Sequence, residues 1–466
     1  MTAPVEAQSA QARAMGLRLV AVALSAGALF GLSIAAMNQT VEQVRLEFVL
    51  SSLQQGFVVS GLVAGALLGC LACGALTDRL GRRQMLTMAG VLGTAAAALC
   101  AVSPDQYVLF AGRILLGFAV GVASTVGPVL LAELAAAGWR GALITTYQLA
   151  LTAGVLLAFT VGVTVHPGHN WRLMFLVNAV PAVALAVTTL LIPSSPEDLM
   201  AHGEPNRARA VLAATRAPME ARAEWAALRS NCARPSKSAL RGLFDPVLRL
   251  PVAIALGAGL MNALVGIGAV AYYSTLVFDA AGVGGGSGAE LATLSVAAVN
   301  LVASVVAVGL ISRYGRRPLL TIGLAGITAS MATAGGALMA AGRPVTGPLT
   351  IVAMLVFITC FAFSAGPLAW VLIAEVLPSE VRVRVAGSAL AGNWGANLLV
   401  ALLFPVIVHT PAIAYRVGLT FQVFAALSLT FLWLVLRFVP ETKDRTLAEL
   451  ESVLASRGRR QSPPTG

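Results

Sequence analysis

The sequence predicts an all-α integral membrane protein with twelve transmembrane helices in two halves of six. Of its 466 residues, 58% are hydrophobic and only 11% are charged, with a mean hydropathy of +0.84. Soluble domains usually carry about 25% charged residues, so a soluble class is excluded. Apolar runs such as 91–102 are continuous and not alternating, which favours helices over a β-barrel. At about 20 residues per span, the chain is long enough for roughly a dozen spans.

Twelve apolar segments fall into two sets separated by a polar stretch. The expected division is an N-terminal half with a polar tail (1–192), a linker (193–250), a C-terminal half (251–439) and a tail (440–466). The linker is rich in Ala, Arg, Leu and Glu, so short amphipathic helices are expected there. It is either a solvated connector or a helical bundle that holds the two halves together. The predicted spans are 16–38, 55–77, 84–103, 107–132, 141–164, 172–192, 251–275, 290–312, 318–341, 347–375, 385–409 and 414–438.

The distribution of arginine predicts the orientation in the membrane. Loops after the second, fourth, sixth, eighth and tenth spans are rich in arginine, including eight Arg and one Lys between Arg207 and Arg249. The opposite loops hold only Arg45, Arg172, Arg343 and Arg416. By the positive-inside rule, the basic loops and both termini are expected to face the cytoplasm. The expected location is the cell membrane. The same rule explains the net charge of +11, so nucleic acid is not an expected partner.

Three motifs recur in the same order in both halves. GALTDRLGRRQ (74–84) reappears as GLISRYGRRPL (309–319), and PSSPEDL after the sixth span resembles PETKDRTLAEL after the twelfth. Glu133 and Arg140 are seven residues apart, as are Glu375 and Arg382. An even number of spans per half gives both halves the same orientation, which predicts a parallel repeat with a substrate site between the halves.

The repeated motifs combine carboxylates with arginines on the side predicted to be cytoplasmic. Arginine alone would satisfy the positive-inside rule, so the carboxylates favour ion pairs that hold one conformation and break in another. The alternative is that the motifs only set topology. Ser312 stands where Asp78 stands in the first copy, which predicts an asymmetric latch in which Asp78 takes part in gating. The candidate gating residues are Asp78, Arg79, Arg82, Arg83, Glu133, Arg140, Arg313, Arg316, Glu375 and Arg382.

Amides and tryptophans inside the spans are the candidate substrate site. Polar groups in lipid are costly, and a sugar needs amides for its hydroxyls and an aromatic face for its C–H surface. For each amide, a helix–helix hydrogen bond is the alternative. The candidates are Gln148, Asn262, Asn300, Trp370, Asn393, Trp394 and Asn397.

These motifs together resemble the sugar porter branch of the major facilitator superfamily. The resemblance rests on 74–83, the pair Gly112-Arg113, the Glu…Arg boxes and PETKDRTL at 440–447. It implies the fold of that superfamily, alternating access, and a cytoplasmic ion-pair network that stabilises the outward-facing state. It also implies that Gln148, Asn300, Trp370 and the pair Asn393-Trp394, with Asn397 one turn on, lie at the sugar.

The sequence departs from the family pattern in two places. On the seventh span, the family's Gln-Gln-Leu-x-Gly-Ile-Asn is replaced by the stretch from Asn262 to Gly268, so a roomier site with fewer hydrogen bonds is expected. On the first span, proton-coupled members carry Asp where this chain has Ser33, a residue that does not titrate usefully. Its family partner, Arg113, is expected to reach outward or to find a lone pair on Ser33, water or the substrate. Uniport is therefore favoured.

The leading hypothesis is a secondary transporter of a sugar or similar polyhydroxy solute, functional as a monomer. The alternatives are a transporter of a small organic or sugar acid, drawn by Arg113, and a transporter-like sensor. An enzyme, a metal site or a cofactor is not expected, since no catalytic set, metal cluster or phosphate loop is evident. Cys70 and Cys73 lie inside an apolar span and are interpreted as small hydrophobic residues.

Overall fold

The structure, a computed structural model, describes residues 3–165, 171–232, 248–282, 287–340, 345–377, 381–408 and 413–443. Within these ranges the ordered elements are all α-helices, and eleven candidate spans are long and apolar enough to cross a membrane. The remaining predicted span, 385–409, falls on the helix Arg382–Val408. Arg343, the linker from 233 to 247 and the tail after Lys443 lie outside the described residues.

The helices before the linker, called the N-terminal half below, give six spans. The sixth is divided in two at Asn178. Their bounds are α1 Ala3–Glu47, α2 Ser52–Leu80, α3 Arg82–Ala101, α4 Gln106–Leu134, α5 Ala137–Val165, α6 Trp171–Val177 and α7 Ala179–Leu190.

The predicted linker helices are present in the described part of the linker. Pro196, Pro205 and Pro218 each open one of them, as expected for proline in the first helical turn. Helix α8 packs against α4, and α9 against α1, so the described linker docks on the N-terminal half. The three helices are α8 Pro196–Ala201, α9 Pro205–Thr215 and α10 Pro218–Cys232.

The helices after the linker, called the C-terminal half, give the other six spans, two of which are broken. Gly266 has a φ of 99° and abuts Phe424, so the seventh span breaks where a side chain would not fit. The tenth breaks at Ser364, just before Pro367, which cannot donate the helical hydrogen bond to Phe363. The helices are α11 Arg249–Leu264, α12 Ile267–Ala280, α13 Ser287–Tyr314, α14 Arg316–Met339, α15 Thr346–Phe363, α16 Ala365–Val376, α17 Arg382–Val408 and α18 Ile413–Phe438.

Both halves use the same packing scheme. The first span packs on the fifth, the second on the fourth, and the third on the fourth and sixth, and the same pairs recur among the last six spans. The halves meet through α2 against α17 and through α5 against α13, two contacts that exchange under a two-fold axis. This arrangement is that of a parallel repeat, with room for a site on the axis between the halves.

Glycines bring the second and fourth spans unusually close together. A Cβ added to Gly117 would collide with the Leu62 carbonyl, and one added to Gly121 with that of Ala66. Gly65 meets α4 in the same way. Such small-residue contacts are typical of helices packed in lipid. They place the α2 backbone within reach of side chains from α4, which matters for Arg113 below.

Candidate substrate cavity and charged gate

A cavity of about 160 Å³ lies between the halves, midway along the helices. Helices α1 and α5 form one wall, and the C-terminal helices α11–α13 and α15–α17 form the other. The structure brings all seven predicted substrate residues to this cavity: Gln148, Asn262, Asn300, Trp370, Asn393, Trp394 and Asn397.

Three of the amides form a chain of hydrogen bonds on the C-terminal wall. Asn397 Nδ2 donates to the Asn393 carbonyl (3.0 Å) and side chain (3.2 Å), and Asn393 Nδ2 donates to Asn262 Oδ1 (3.0 Å). Asn262 Nδ2 then donates to the carbonyls of Ala365 (3.0 Å) and Gly366 (3.4 Å), just after the helix break at Ser364. For these three residues, helix–helix hydrogen bonding and a place on the cavity wall occur together.

Three polar atoms at the cavity have no hydrogen-bond partner among the described residues. They are the acceptors Gln148 Oε1 and Asn300 Oδ1 and the donor Trp394 Nε1, and each is buried. A buried polar atom without a partner costs about 1–3 kcal/mol. These three atoms therefore suit a ligand that both donates and accepts hydrogen bonds.

An aromatic cluster closes one side of the cavity. The Phe30 ring lies 5.1 Å from that of Trp394 and 6.1 Å, edge to face, from that of Trp370. Tyr147 packs 5.9 Å from Trp370 and is fully buried. Phe30 and Tyr147 were not among the predicted site residues. Tyr147 adjoins Gln148 in the sequence, and Phe30 precedes Ser33 by three residues; only their aromatic character inside a span could have indicated them.

The wall from the N-terminal half is mostly apolar. Gln148 and Thr152 are its polar side chains, and the Thr152 hydroxyl already donates to the Leu149 carbonyl (2.9 Å). None of the described lining residues of the cavity carries a charge. The electrostatics of this wall are thus those of dipoles, not of ions.

Ser33 and Arg113, the positions tied to proton coupling, do not contact the cavity. The buried Ser33 hydroxyl donates to Asn178 Oδ1 (3.1 Å), at the break in the sixth span. Arg113 is 1% exposed, and its Nε and Nη2 donate to the carbonyls of Val58 (2.8 Å) and Val59 (3.2 Å) on α2. Outward reach, one of the alternatives left open for Arg113, therefore does not describe its buried position in this structure. The close α2–α4 packing supplies backbone lone pairs that the sequence did not reveal.

The arginine-rich loops meet at one end of the helices, called the basic end below. In the N-terminal half, Arg82 Nε lies 3.3 Å from Glu133 Oε2, and its guanidinium also pairs with Asp198. Asp198 accepts the backbone N–H of Arg82 (2.7 Å) beside Gly81, which has a φ of 81°. The dipole of α3 stabilises a carboxylate at its first turn. Burial raises the pKa of Asp198, opposed chiefly by the Arg82 charge.

The C-terminal half repeats this cluster with different residues. Arg316 Nη2 lies 2.9 Å from Glu375 Oε1, and Thr442 Oγ1 donates to Glu375 Oε2 (2.7 Å). Glu441 accepts the backbone N–H groups of Arg316 (2.9 Å) and Arg317 (3.1 Å) beside Gly315, which has a φ of 84°. Glu441 therefore plays the part of Asp198 in this half. Both residues lie in the repeated motifs that follow the sixth and twelfth spans, for which the sequence indicated no role.

Two ion pairs among the described residues join the halves. Arg382 Nη1 lies 3.3 Å from Glu133 Oε1, with both side chains buried, and Arg384 pairs with Asp78 at the surface. In both pairs the acid belongs to the N-terminal half and the base to the C-terminal half. Arg384 was not predicted. It lies two residues after the predicted Arg382, on a different face of the same helix, where its side chain is exposed.

Four predicted gating residues lie elsewhere. Arg79 and Arg313 are exposed and form no ion pair among the described residues, so their place in the network stays a prediction. Arg83 donates to the carbonyls of Thr189 (3.1 Å) and Leu190 (3.0 Å) at the end of α7. Arg140 donates to the Ala132 carbonyl (2.9 Å) and lies 3.9 Å from Glu224 of the linker.

The linker is fastened to the N-terminal cluster by one buried arginine. Arg216 Nη1 and Nη2 donate to the carbonyls of Leu134 (2.7 Å) and Glu133 (2.9 Å), which end α4. Its Nε donates to Glu224 (2.9 Å). A cation on the last carbonyls of a helix is favoured by the dipole, so the linker is a structural part of this half.

A two-fold arrangement of six-span halves around a central cavity, closed at one end by ion pairs, defines a secondary transporter. The family model described as sugar (and other) transporter matches residues 19–454. The chain belongs to this family, whose members are membrane transporters and not enzymes.

The chain is similar to sugar symporters in both sequence and structure. The galactose-proton symporter of Escherichia coli K12 is 34% identical over 444 residues, 94% of each chain. The structure of the proton:xylose symporter XylE bound to 6-bromo-6-deoxy-D-glucose is 27% identical, with a TM-score of 0.87 over 95% of this chain and 100% of that one. The inward-open form of XylE from E. coli gives 0.69 over 93% and 98%.

Proposed function

We propose that the protein carries a monosaccharide across the cell membrane by alternating access, as a uniporter. The observation that supports this best is the set of unpartnered atoms at the cavity: the acceptors Gln148 Oε1 and Asn300 Oδ1 and the donor Trp394 Nε1. A polyhydroxy ring supplies hydroxyls that donate and accept at once. The Trp370 and Phe30 rings offer an apolar surface for its C–H groups.

The size of the cavity favours a single ring. Its volume of about 160 Å³ is close to the roughly 150 Å³ of an engineered cavity that holds one benzene ring. A monosaccharide with its hydroxyls is larger than benzene and would fill such a cavity, which leaves no room for a second ring. The substrate named for the similar symporter, galactose, falls in the same class.

The alternative of an organic acid is disfavoured by the electrostatics of the site. None of the described lining residues is charged, and Arg113 donates instead to the carbonyls of Val58 and Val59. A carboxylate entering this cavity would lose its hydration without gaining a cation, which is costly. A neutral solute avoids this cost.

The coupling proposal rests on Ser33. A hydroxyl that donates to Asn178 has no useful titration, so it cannot carry a proton with each sugar. The similar galactose transporter is a proton symporter, so the energetics of the two proteins would differ. The basic end faces the cytoplasm with both termini, following the positive-inside rule, and the protein works as a monomer.

Uptake into proteoliposomes tests both parts. The probes are galactose, xylose and arabinose. Gln148→Ala and Asn300→Ala should each raise the sugar concentration at half-maximal uptake about tenfold, the usual effect of losing one hydrogen bond. Gln422→Ala is the matched control, because Gln422 lies on the last span, away from the cavity, and donates to the Ala332 carbonyl of α14. Unchanged uptake in both site variants would refute the site.

The same vesicles test coupling. Wild-type exchange should proceed at equal pH on both sides, and a pH gradient should not drive accumulation above the external sugar concentration. Accumulation that follows the gradient would refute uniport while leaving the sugar site intact.

A further inference from the structure

The asparagines on the C-terminal wall of the cavity each direct their amide nitrogen at a backbone carbonyl. Asn262 Nδ2 lies 3.0 Å from the Ala365 oxygen, and Asn393 Nδ2 lies 2.9 Å from the Gly259 oxygen. Asn397 Nδ2 lies 3.0 Å from the Asn393 carbonyl oxygen. A carbonyl can only accept a hydrogen bond, so the atom that faces it must be the amide N–H group. The backbone therefore fixes the direction of all three amides, called the fixed amides below.

The other hydrogen bonds of the fixed amides also use their nitrogens within the protein. Asn262 Nδ2 is also directed at the Gly366 carbonyl (3.4 Å), and Asn393 Nδ2 at Asn262 Oδ1 (3.0 Å). Asn397 Nδ2 also lies 3.2 Å from Asn393 Oδ1. Asn397 lines the cavity, and its Oδ1 accepts no hydrogen bond among the described residues. The fixed amides therefore offer a ligand oxygens that accept, while their N–H groups are already taken.

The two other amides at the cavity, Gln148 and Asn300, are held differently. Gln148 Oε1 and Asn300 Oδ1 are buried without a partner, and neither side chain forms a hydrogen bond with the described residues. An amide without a fixed partner can turn about its last single bond and present either its oxygen or its nitrogen. The cavity thus combines amides that can adapt to a ligand with amides that cannot.

Asn262 is the residue that connects the fixed amides to the broken helices. It lies in α11, one turn before the break at Gly266, and its nitrogen bonds to the first turn of α16, directly after the break at Ser364. Its oxygen receives an Asn393 N–H that would otherwise be free. Since its own nitrogen is occupied by backbone carbonyls, Asn262 acts on a ligand through Asn393.

We propose that Asn262 is a positioning residue that makes this wall a fixed hydrogen-bond acceptor, so that the site selects sugars with a donor hydroxyl there. A hydroxyl replaced by hydrogen or by fluorine cannot donate and is rejected at the fixed amides. At Gln148, by contrast, the amide can turn and give its N–H to a fluorine. The inference rests on the proposed function, because the hydroxyls that are read belong to the sugar.

Binding of galactose and of its singly deoxygenated and singly fluorinated analogues tests this proposal, measured by titration calorimetry on the purified full chain. At the ring position that faces the fixed amides, the deoxy and fluoro analogues should bind equally weakly, about tenfold less tightly than galactose. At positions that face Gln148 or Trp394 Nε1, the fluoro analogue should bind more tightly than the deoxy analogue, because an N–H can donate to fluorine.

Two substitutions of Asn262 test its positioning role. Asn262→Leu removes the oxygen that receives the Asn393 N–H, so this N–H becomes free. At the position where the wild type rejects both analogues, the fluoro analogue should then bind about threefold more tightly than the deoxy analogue. Asn262→Asp is the matched control, because it keeps that oxygen. Desolvation in this uncharged wall favours its neutral acid, whose O–H donates to the Ala365 carbonyl, so the wild-type ratio should persist.

The ratio of the two analogues separates positioning from general damage to the fold, which weakens both analogues alike. A fluoro analogue that binds more tightly than its deoxy counterpart at every position of the wild type would overturn the proposal. An unchanged ratio in Asn262→Leu, or the same change in Asn262→Asp, would also overturn it. The wild-type series needs no variant and stands even where Asn262→Leu does not fold. Absence of binding by galactose, xylose and arabinose would instead refute the proposed function, and this inference with it.

Discussion

The two charged clusters at the basic end are built on one plan but differ in which of them spans the halves. Each starts from a glycine with positive φ, Gly81 or Gly315, over which a carboxylate reaches the first turn of the next helix. In the N-terminal copy, Glu133 also binds Arg382 from the other half. In the C-terminal copy, Glu375 pairs within its own half.

The corresponding arginine, Arg140, shows why the symmetry is broken. Its Nε is taken by the Ala132 carbonyl, and the linker supplies Glu224 on its other side. The linker exists once, beside the N-terminal half, and so it can draw Arg140 away from Glu375. In the described residues, Glu133 pairs with an arginine of the other half and Glu375 does not.

The largest expected effect comes from breaking the buried pair between the halves. Arg382→Ala leaves Glu133 buried with one arginine, and removing one partner of a buried pair costs about 3–5 kcal/mol. The closed form should lose at least a hundredfold in population. The distance between spin labels at Arg79→Cys and Arg313→Cys, two exposed positions in equivalent loops of the halves, measures this population. Arg140→Ala is the matched control, because its partner is 3.9 Å away in its own half. Equal effects of the two variants would show that the clusters are equivalent.

Much of the fold could be predicted from the sequence, because lipid imposes simple rules. Hydropathy gave spans that match helices of the structure, and repeated motifs gave the two-fold plan. The seven residues at the cavity could be predicted because amides and tryptophans inside a span are rare and costly. The breaks at Gly266 and Ser364 lay inside predicted spans, where composition is uniform and only a local steric conflict decides.

The charged network was predicted less well, for a physical reason. The sequence supplies a surplus of arginines, and choosing among them requires knowing which carboxylates are buried nearby. Arg384 was missed, and Arg79 was predicted but forms no ion pair among the described residues. Helix faces, and not composition, determine which arginine crosses to the other half. The roles of Asp198 and Glu441 depend on contacts with helices more than a hundred residues away in the chain.

An intermediate effect should come from removing the Thr442 hydroxyl, a group that the N-terminal cluster lacks. Thr442→Val preserves shape but removes the donor to Glu375 Oε2, which costs about 1–3 kcal/mol. Thermal unfolding in detergent should shift to lower temperature by a few degrees. Thr442→Ser retains the hydroxyl and is the control; a loss of the same size in both variants would assign the effect to packing.

The smallest effect is expected at the surface pair between the halves. Asp78 and Arg384 are 47% and 41% exposed, and exposed pairs contribute about 0–1 kcal/mol. Asp78→Asn should therefore change the closed-to-open ratio, measured by the spin-label distances, by less than about fivefold. Membrane insertion should stay normal. The shift should fade as salt is raised from 0.01 M to 0.15 M, because the Debye length falls from about 30 Å to about 8 Å. The buried pair of Glu133 and Arg382 is shielded from salt and should keep its effect. A salt-independent loss in Asp78→Asn as large as that of Arg382→Ala would mean that the exposed pair, and not the buried one, controls closure.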